Sequence, residues 1–471
     1  MVEDWVDYIT LDTAQNGYKA LNKMWAGQPV LLRGTPLVSV LVGRWSLQQL
    51  VRAATAAADS PKLRPLTVLC SDARRCRFME YEELKNVYGS YYHVREPETQ
   101  RLEMTFPEFV QCTQRWQSRR LLLKAKVMGH QAAPATGEAG AALPDPDRLV
   151  PSGRPRVAEE ARAWFGRQMQ QELEGGVDWE WLEGMQRAQR FGPVLSVEVE
   201  AGGANSLLPA RYSTRDRLLA QVTGRQRVLL LSPQQAFSGL YPYPLHHTYD
   251  GYSMVDLEAV DPGLWPKFSQ VRGRTAILQP GDVLFVPQYW FVHAQHLEAE
   301  NVSLCFQLQQ GARAPARDSA ELRLSRHIEE RVADFEGVQD VRHWLQLIGH
   351  GEEGEWIDLG TVRGYNRIVF CQSVRDDVDA TLGQGEWARL LPALCQGRLV
   401  PTEWLNKDFR EPLYLLDKPV WVEDTRSEEE RKYPELFRHK LRAEGWNVPE
   451  AKSTVPIPGY NMPKDADWRR I

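Results

Sequence analysis

Between residues 209 and 310 short β-type runs are cut by turn residues, and this punctuation constrains the fold more than any other feature of the chain. Thr223-Gly224 separates Leu218–Val222 from Val228–Leu231, and Pro280-Gly281-Asp282 separates Ala276–Leu278 from Val283–Val286. Glycine takes a positive φ at no steric cost and proline fixes its own φ, so such clusters end a strand and turn the chain. Short strands at this spacing predict a sandwich or a barrel.

The flanking sequence fits elements around such a sheet. Pro29–Gly34 reads as a strand ending in a turn, Leu66–Cys70 as a buried strand, and Val194–Val199 alternates as a strand. Leu47–Ala58 and Glu159–Glu174 are helical in pattern, and Leu322, Leu324, Ile328, Val332 and Phe335 give helical spacing to Ala320–Phe335. A second helix is expected at Val338–Ile348. The basic run from Arg115 to Lys126 is expected to be one solvated helix face rather than a phosphate-binding patch. Residues 131–156 are Ala/Gly/Pro-rich and predict a surface loop or linker.

With 471 residues, 43% hydrophobic and 25% charged, the chain has the composition of a globular protein with one large domain plus extensions. Its 16 tryptophans predict large aromatic contacts. A net charge of −5 gives no electrostatic footprint for nucleic acid. The cysteines at 70, 76, 112, 305, 371 and 395 form no CxxC pair, which fits reduced thiols in a cytosol-like compartment. There is no run of about 18 apolar residues, so no membrane insertion is expected. Met1–Trp5 is acidic and lacks a signal h-region, so the expected location is soluble intracellular, cytoplasmic or nuclear, with a cytoskeletal or organellar assembly left open.

A longer pattern adds a family. Pro209-Ala210-Arg211-Tyr212-Ser213 is followed by Leu219–Gly224, Leu240–His247, Val255-Asp256, Trp265-Pro266-Lys267-Phe268, Pro280–Pro287 and Tyr289-Trp290, with Phe78–Tyr81 and Met104–Val110 upstream. In order and spacing, over about residues 25–365, this resembles the JmjC-type cupin 2-oxoglutarate oxygenases, and within them the asparaginyl hydroxylases of the factor-inhibiting-HIF type. The resemblance implies a mainly β (α+β) fold. It is a double-stranded β-helix (a cupin jelly roll) with flanking helices, here followed by an irregular C-terminal extension. The implied divisions are 1–130 for the N-terminal helix and strand part, 131–156 for the loop, 157–315 for the β-helix core, 316–366 for C-terminal helices and 367–471 for the extension.

In that family a His and an acidic residue two positions later share one strand face, and a second His from a later strand completes an iron site. The resemblance puts the first His on Arg211, the acid on Ser213 and the second His on Val292. It puts the Lys that binds the far carboxylate of 2-oxoglutarate on Gln226, and the Thr that assists it on Leu208. A guanidinium carries only donors, and a hydroxyl is a poor substitute for a carboxylate. Together the five changes imply no metal and no cofactor. His293 lies one residue from Val292, but one step along a strand turns a side chain to the other face. A bulge could re-aim it, though without partners at 211 and 213. Arg211 in a barrel would cost several kcal/mol unpaired. An internal carboxylate, a bound anion or a partner's acidic side chain would satisfy it, the alternative being a side chain bent out to solvent.

The remaining polar residues have structural readings. His246-His247 diverge in direction, His293 and His296 are three apart on a strand, Asp250 and Asp256 are expected to cap or turn backbone, and Asp282 is a turn residue. The extension contains Trp387, Trp404, Trp421, Trp446 and Trp468, and Val455–Pro463 is too proline-rich for helix or central strand. Trp404, Trp421 and Trp468 are candidate partner-binding anchors. The resembling hydroxylases dimerise through their C-terminal helices, which here fall at 320–350. The function this predicts is a catalytically inactive JmjC/cupin-like protein, a scaffold subunit of a larger complex whose partners are protein subunits and not nucleic acid. Two alternatives stay open: an active 2-oxoglutarate/Fe(II) protein hydroxylase with an unorthodox ligand set, and a metal-independent carboxylate sensor acting through Arg211.

Overall fold

The computed structural model describes residues 2–55, 63–74, 76–80, 99–130, 154–189, 191–243, 245, 249–309, 317–336 and 362–397. The chain divides into two compact units, one of Met1–Glu80, Glu98–Pro233 and Arg272–Ser319, the other of Tyr81–Pro97, Gln234–Val271 and Ala320–Ile471.

The first unit carries all the described strands. In chain order they are β1 (Val2–Trp5), β2 (Tyr8–Thr10), β3 (Val30–Arg33), β4 (Leu66–Asp72), β5 (Gln100–Met104), β6 (Arg119–Gly129), β7 (Arg156–Val157) and β8 (Val194–Gly202). There follow β9 (Leu207–Arg211), β10 (Arg217–Thr223), β11 (Gln226–Leu231), β12 (Arg272–Leu278), β13 (Val283–Val286), β14 (Phe291–His296) and β15 (Asn301–Leu308). Five of them form a sheet in the order β1-β12-β11-β14-β9, and the larger sheet runs β2-β3-β13-β10-β15-β8-β6-β4-β5 with β7 on β6. Neighbours are antiparallel except β1 with β12 and β2 with β3. The Thr223-Gly224 turn between β10 and β11 needs its glycine: φ is +73°, and a Cβ would sit 2.1 Å from the Glu300 carbonyl oxygen.

Alternation along the strands decides what each face meets. Val197, Val199, Leu218, Ala220, Val222, Leu304 and Phe306 form the outer face of the larger sheet. They pack with Met24 of α1 (Ala14–Trp25), Leu50 of α2 (Leu47–Thr55), Phe109 of α3 (Phe106–Arg115), Phe165 of α4 (Glu159–Gly176) and Leu182 of α5 (Trp179–Gln189). Between the sheets lies a second cluster, with Val228, Leu230, Ala276, Leu278 and Ala294 from the smaller sheet and Leu31, Leu284 and Val286 from the larger. Each such buried side chain contributes about 1.5–3 kcal/mol. The result is a jelly-roll β-sandwich with flanking helices, as the turn pattern and the resemblance implied.

One expectation is corrected. The basic run from Arg115 to Lys126 is not a helix face: α3 ends at Arg115 and β6 begins at Arg119. Leu121, Leu123, Ala125 and Val127 enter the core at every second position, a strand period that the intervening cations obscure. Asp250 lies, as expected, in a turn closed by the Tyr252 amide donating to the Tyr249 carbonyl at 3.0 Å, and its two oxygens also accept from Arg326 Nη1 at 2.5 Å and Nη2 at 3.0 Å.

That pair belongs to the second unit, which holds α6 (Arg317–Glu336) from Ala320 onward, α7 (Val362–Leu382) and α8 (Trp387–Gly397). Leu322, Leu324, Ile328 and Val332 of α6 are buried, and Glu329, also buried, accepts from the Leu245 amide at 3.2 Å. Arg331 pairs with Asp377 of α7, and α8 packs on the turn at Ala236–Leu240. A single helix, α7, runs through residues 366 and 367. No described helix is long and apolar enough to cross a membrane. Val338–Ile348, His246-His247, Trp404, Trp421 and Trp468 lie outside the described residues.

Candidate functional site

Strand pairing brings together two of the positions on which the resemblance puts iron ligands. Arg211, the last residue of β9, is the cross-strand partner of Val292 on β14, and Leu208 is the partner of Ala294. Between these pairs Pro209 and Ala210 on β9 face the single residue His293 on β14, and this bulge keeps both Arg211 and Leu208 on the inner face. Beyond the strand, the Ser213 carbonyl accepts from the Tyr289 amide at 2.7 Å. Tyr289 holds a left-handed φ of 65°, and Tyr212 packs edge-on against Phe291 at 5.0 Å, which fixes the loop against β14. The Ser213 hydroxyl is turned into its own loop, accepting from the Arg215 amide at 3.1 Å.

Arg211 is met by a carboxylate distant in sequence. β9 is the edge strand of the smaller sheet. The segment Cys76–Glu80 runs along it, with Leu207 donating to the Cys76 carbonyl at 2.8 Å and Phe78 donating to Leu207 at 2.9 Å. This carries Glu80 to the end of the strand, where its Oε2 accepts from Arg211 Nη1 at 2.7 Å and its Oε1 lies 2.8 Å from Lys124 Nζ on β6. One carboxylate thus ties the edge of the smaller sheet to the larger one. Burial opposes its ionisation, but the charges and hydrogen bonds of Lys124 and Arg211 outweigh burial and hold the carboxyl at about 2. The three side chains are 29–30% exposed.

Part of the inner face of the larger sheet, on β8, β10 and β15, is also polar and charged. Glu198 and Glu200 alternate with Val197 and Val199 on β8, and Glu198 accepts from Gln307 Nε2 at 2.7 Å. Arg217 has a lowered pKa because burial disfavours its charge, with the neighbouring Arg211 adding to this and Glu198 and Glu200 opposing it. Its Nε and Nη2 are buried without a hydrogen-bond partner. Burial, with Glu198, pushes the Cys305 thiol up to about 12. Gln226 is the cross-strand partner of His296, and both approach Glu200 Oε1, Gln226 Nε2 at 3.5 Å and His296 Nε2 at 3.3 Å. Leu208 packs among apolar side chains. His293 pairs with Leu229, on the opposite face of β14 from Val292.

This donor set does not fit iron. A guanidinium has no lone pair to give, Val292 is aliphatic, and the Ser213 oxygen already accepts an amide. Nor does Gln226 offer a charge to a dicarboxylate, being engaged with Glu200. Among the described residues, no group of three His, Cys, Asp or Glu side chains is placed to hold one ion. Sequence reasoning left an internal carboxylate as one of several ways to satisfy Arg211 without identifying Glu80, and it missed Lys124, Glu198, Glu200 and Arg217. The alternation of Val197-Glu198-Val199-Glu200 was the available signal for two of these.

Comparison with known proteins gives the context. A family model described as a cupin-like domain matches residues 22–307, more than half of the chain. The tRNA wybutosine-synthesizing protein 5 of Danio rerio is 42% identical over 80 residues, 17% of this chain and 23% of that protein. Lysine-specific demethylase 8 of Xenopus tropicalis is 32% identical over 107 residues, 22% of this chain and 23% of that protein. Jumonji C domain-containing protein 5 of Drosophila melanogaster is 31% identical over 113 residues, 24% of this chain and 27% of that protein. The chain thus spans about a quarter of the length of the curated relatives it matches.

Proposed function

The chain belongs to the cupin-like domain family, and from that premise we propose that it is a catalytically inactive member serving as a structural subunit of a protein assembly. The observation that carries this reading is the Arg211–Glu80–Lys124 triad at the corner where the resemblance puts an iron site. A fixed cation there repels a metal, and its counter-charge comes from within the protein. The relatives named above are a tRNA wybutosine-synthesizing protein, a lysine-specific demethylase and a Jumonji C domain-containing protein; the finer likeness to asparaginyl hydroxylases rests on the motifs of residues 209–290. The carboxylate-sensor alternative is weakened because Arg211 already has a carboxylate in Glu80.

A jelly roll without its chemistry still offers a rigid surface, and the Trp- and Pro-rich sequence after residue 371 supplies aromatic anchors of the kind that dominate interfaces. The test is to compare the full-length chain with one lacking residues 398–471, which keeps α7 and α8 and removes Trp404, Trp421 and Trp468, by the size of the particle each forms in cell extract. The reading requires the full-length chain to run in a large complex. The truncated chain should leave that complex while keeping the thermal transition of its sandwich. A full-length chain running as a free monomer contradicts the reading.

A further inference from the structure

About 17 Å along β6 from Lys124, at the usual strand rise, lies a second cationic surface with a different character. The loop joining α3 to β6 forms a depression of ≈ 570 Å³ lined by Arg115, Trp116, Gln117, Ser118 and Arg119. The turn after β4 abuts it: Asp72 is the cross-strand partner of Arg119, the Ala73 amide donates to the Ser118 carbonyl at 3.0 Å, and Arg74 follows. Arg74, Arg115 and Arg119 are exposed, while Trp116 is half-buried against the core.

The loop is held from beneath. Arg120 Nη1 donates to the carbonyls of Trp116, Gln117 and Arg119 at 3.2, 3.3 and 3.3 Å, so this guanidinium braces the backbone and leaves the other three to face solvent. Trp116 leaves the helix in extended conformation, its amide still bonded to the Cys112 carbonyl. Arg119 neighbours the Cys70 thiol, and Arg115 bonds the Gln111 amide oxygen at 2.9 and 3.1 Å. The carboxylate at this surface is Asp72, which is already engaged with the Arg74 backbone amide at 2.7 Å. Among the described residues none of these arginines forms a salt bridge. Elsewhere Arg154, Arg225, Arg326 and Arg389 each have a carboxylate within 3.0 Å.

We propose that this depression is a docking site for an acidic peptide segment of a partner protein, with the guanidinia of Arg74, Arg115 and Arg119 receiving carboxylates beside the Trp116 ring. Guanidinium forks match carboxylates bidentately, and a half-buried indole in a braced loop offers an apolar floor without ordering cost. The charge is local: the chain as a whole carries −5. A nucleic acid, whose phosphates extend past any one depression, would meet that negative remainder, whereas a short acidic segment would not.

The test uses the full-length chain and two fluorescein-labelled probes, an octaglutamate peptide and a ten-nucleotide single-stranded RNA, followed by anisotropy at low and moderate salt. The expected result is salt-sensitive, saturable binding of octaglutamate. It should weaken at least tenfold in Arg115→Glu/Arg119→Glu and stay within twofold in Arg44→Glu/Arg52→Glu, which changes the net charge equally at two other exposed arginines. A melting transition unchanged in the first variant establishes that its fold is intact; if it shifts, Arg74→Glu, in the neighbouring turn, must show the same direction of loss. No binding of octaglutamate by the unmodified chain overturns the proposal. So does equal weakening in both double variants, or tighter binding of the RNA than of the peptide.

Discussion

The two faces of the ten-stranded sheet are built from the same strands and have opposite chemistry. Outward, β8, β10 and β15 present Val197, Val199, Leu218, Leu304 and Phe306 to the helices; inward, they present Glu198, Glu200, Arg217, Cys305 and Gln307. The outer face needs only apolar residues of fitting size at every second position, and it holds the frame whatever lies inside. The inner face is free to change its chemistry provided each charge finds a counter-charge. Glu80 meets this condition at the sheet edge, by answering Arg211 from one sheet and Lys124 from the other. On the proposed reading, a corner without metal ligands need not loosen the sandwich, because an ion-pair triad joins the sheets there.

The largest expected effect lies on the outer face. Phe306→Ala removes a ring buried against Trp179, with centroids 6.4 Å apart, and should cost about 3–5 kcal/mol in urea titration. A cost under about 1 kcal/mol would break the claim that this face holds the frame. Glu80→Gln comes next. It removes the charge that Arg211 and Lys124 share, but solvent reaches the triad, so the cost should be about 1–2 kcal/mol. A double-mutant cycle with Arg211→Gln should give a coupling energy of roughly 1 kcal/mol, and simple additivity would remove the staple from the account.

The same carboxyl gives a pH signature. Lys124 and Arg211 lower it from 4.5 to about 2 against the opposing effect of burial. Its contribution is therefore full above the unfolded-state value and is lost as pH falls from 4.5 through about 2. The gap in urea midpoint between the unmodified chain and Glu80→Gln should close over that window, whereas a constant gap would mean the carboxylate charge is not what matters. Smallest of all, Lys23→Ala breaks a pair with Asp7 whose members are 39% and 58% exposed, and should cost under about 1 kcal/mol by the same titration.

Much of the frame was legible because its signals are local. The turns at 223-224 and 280-282 and the alternation of Val194–Val199 each mark a strand within a few residues. β6 was misread as a helix face because the cations Arg119, Arg120, Lys124 and Lys126 mask the period-two apolar residues between them. That error also hid Lys124 as a partner for Glu80. The triad itself could not be read locally, since Arg211 and Glu80 are 131 residues apart and meet only because Cys76–Glu80 lines the edge of β9. Asp250 and Arg326, 76 residues apart, were missed for the same reason.

The central claim is that Arg211, Ser213 and Val292 leave the inner corner unable to hold a metal, and it is tested most directly by elemental analysis. The full-length chain would be purified, incubated anaerobically with ferrous iron, freed of excess and assayed for bound metal alongside 2-oxoglutarate consumption. The account predicts well under one-tenth of an equivalent of iron and no cosubstrate turnover, unchanged in Glu80→Gln because Arg211 and Val292 remain. One equivalent of iron, retained by the unmodified chain and lost in an Arg211→Ala variant that keeps its melting transition, would contradict it.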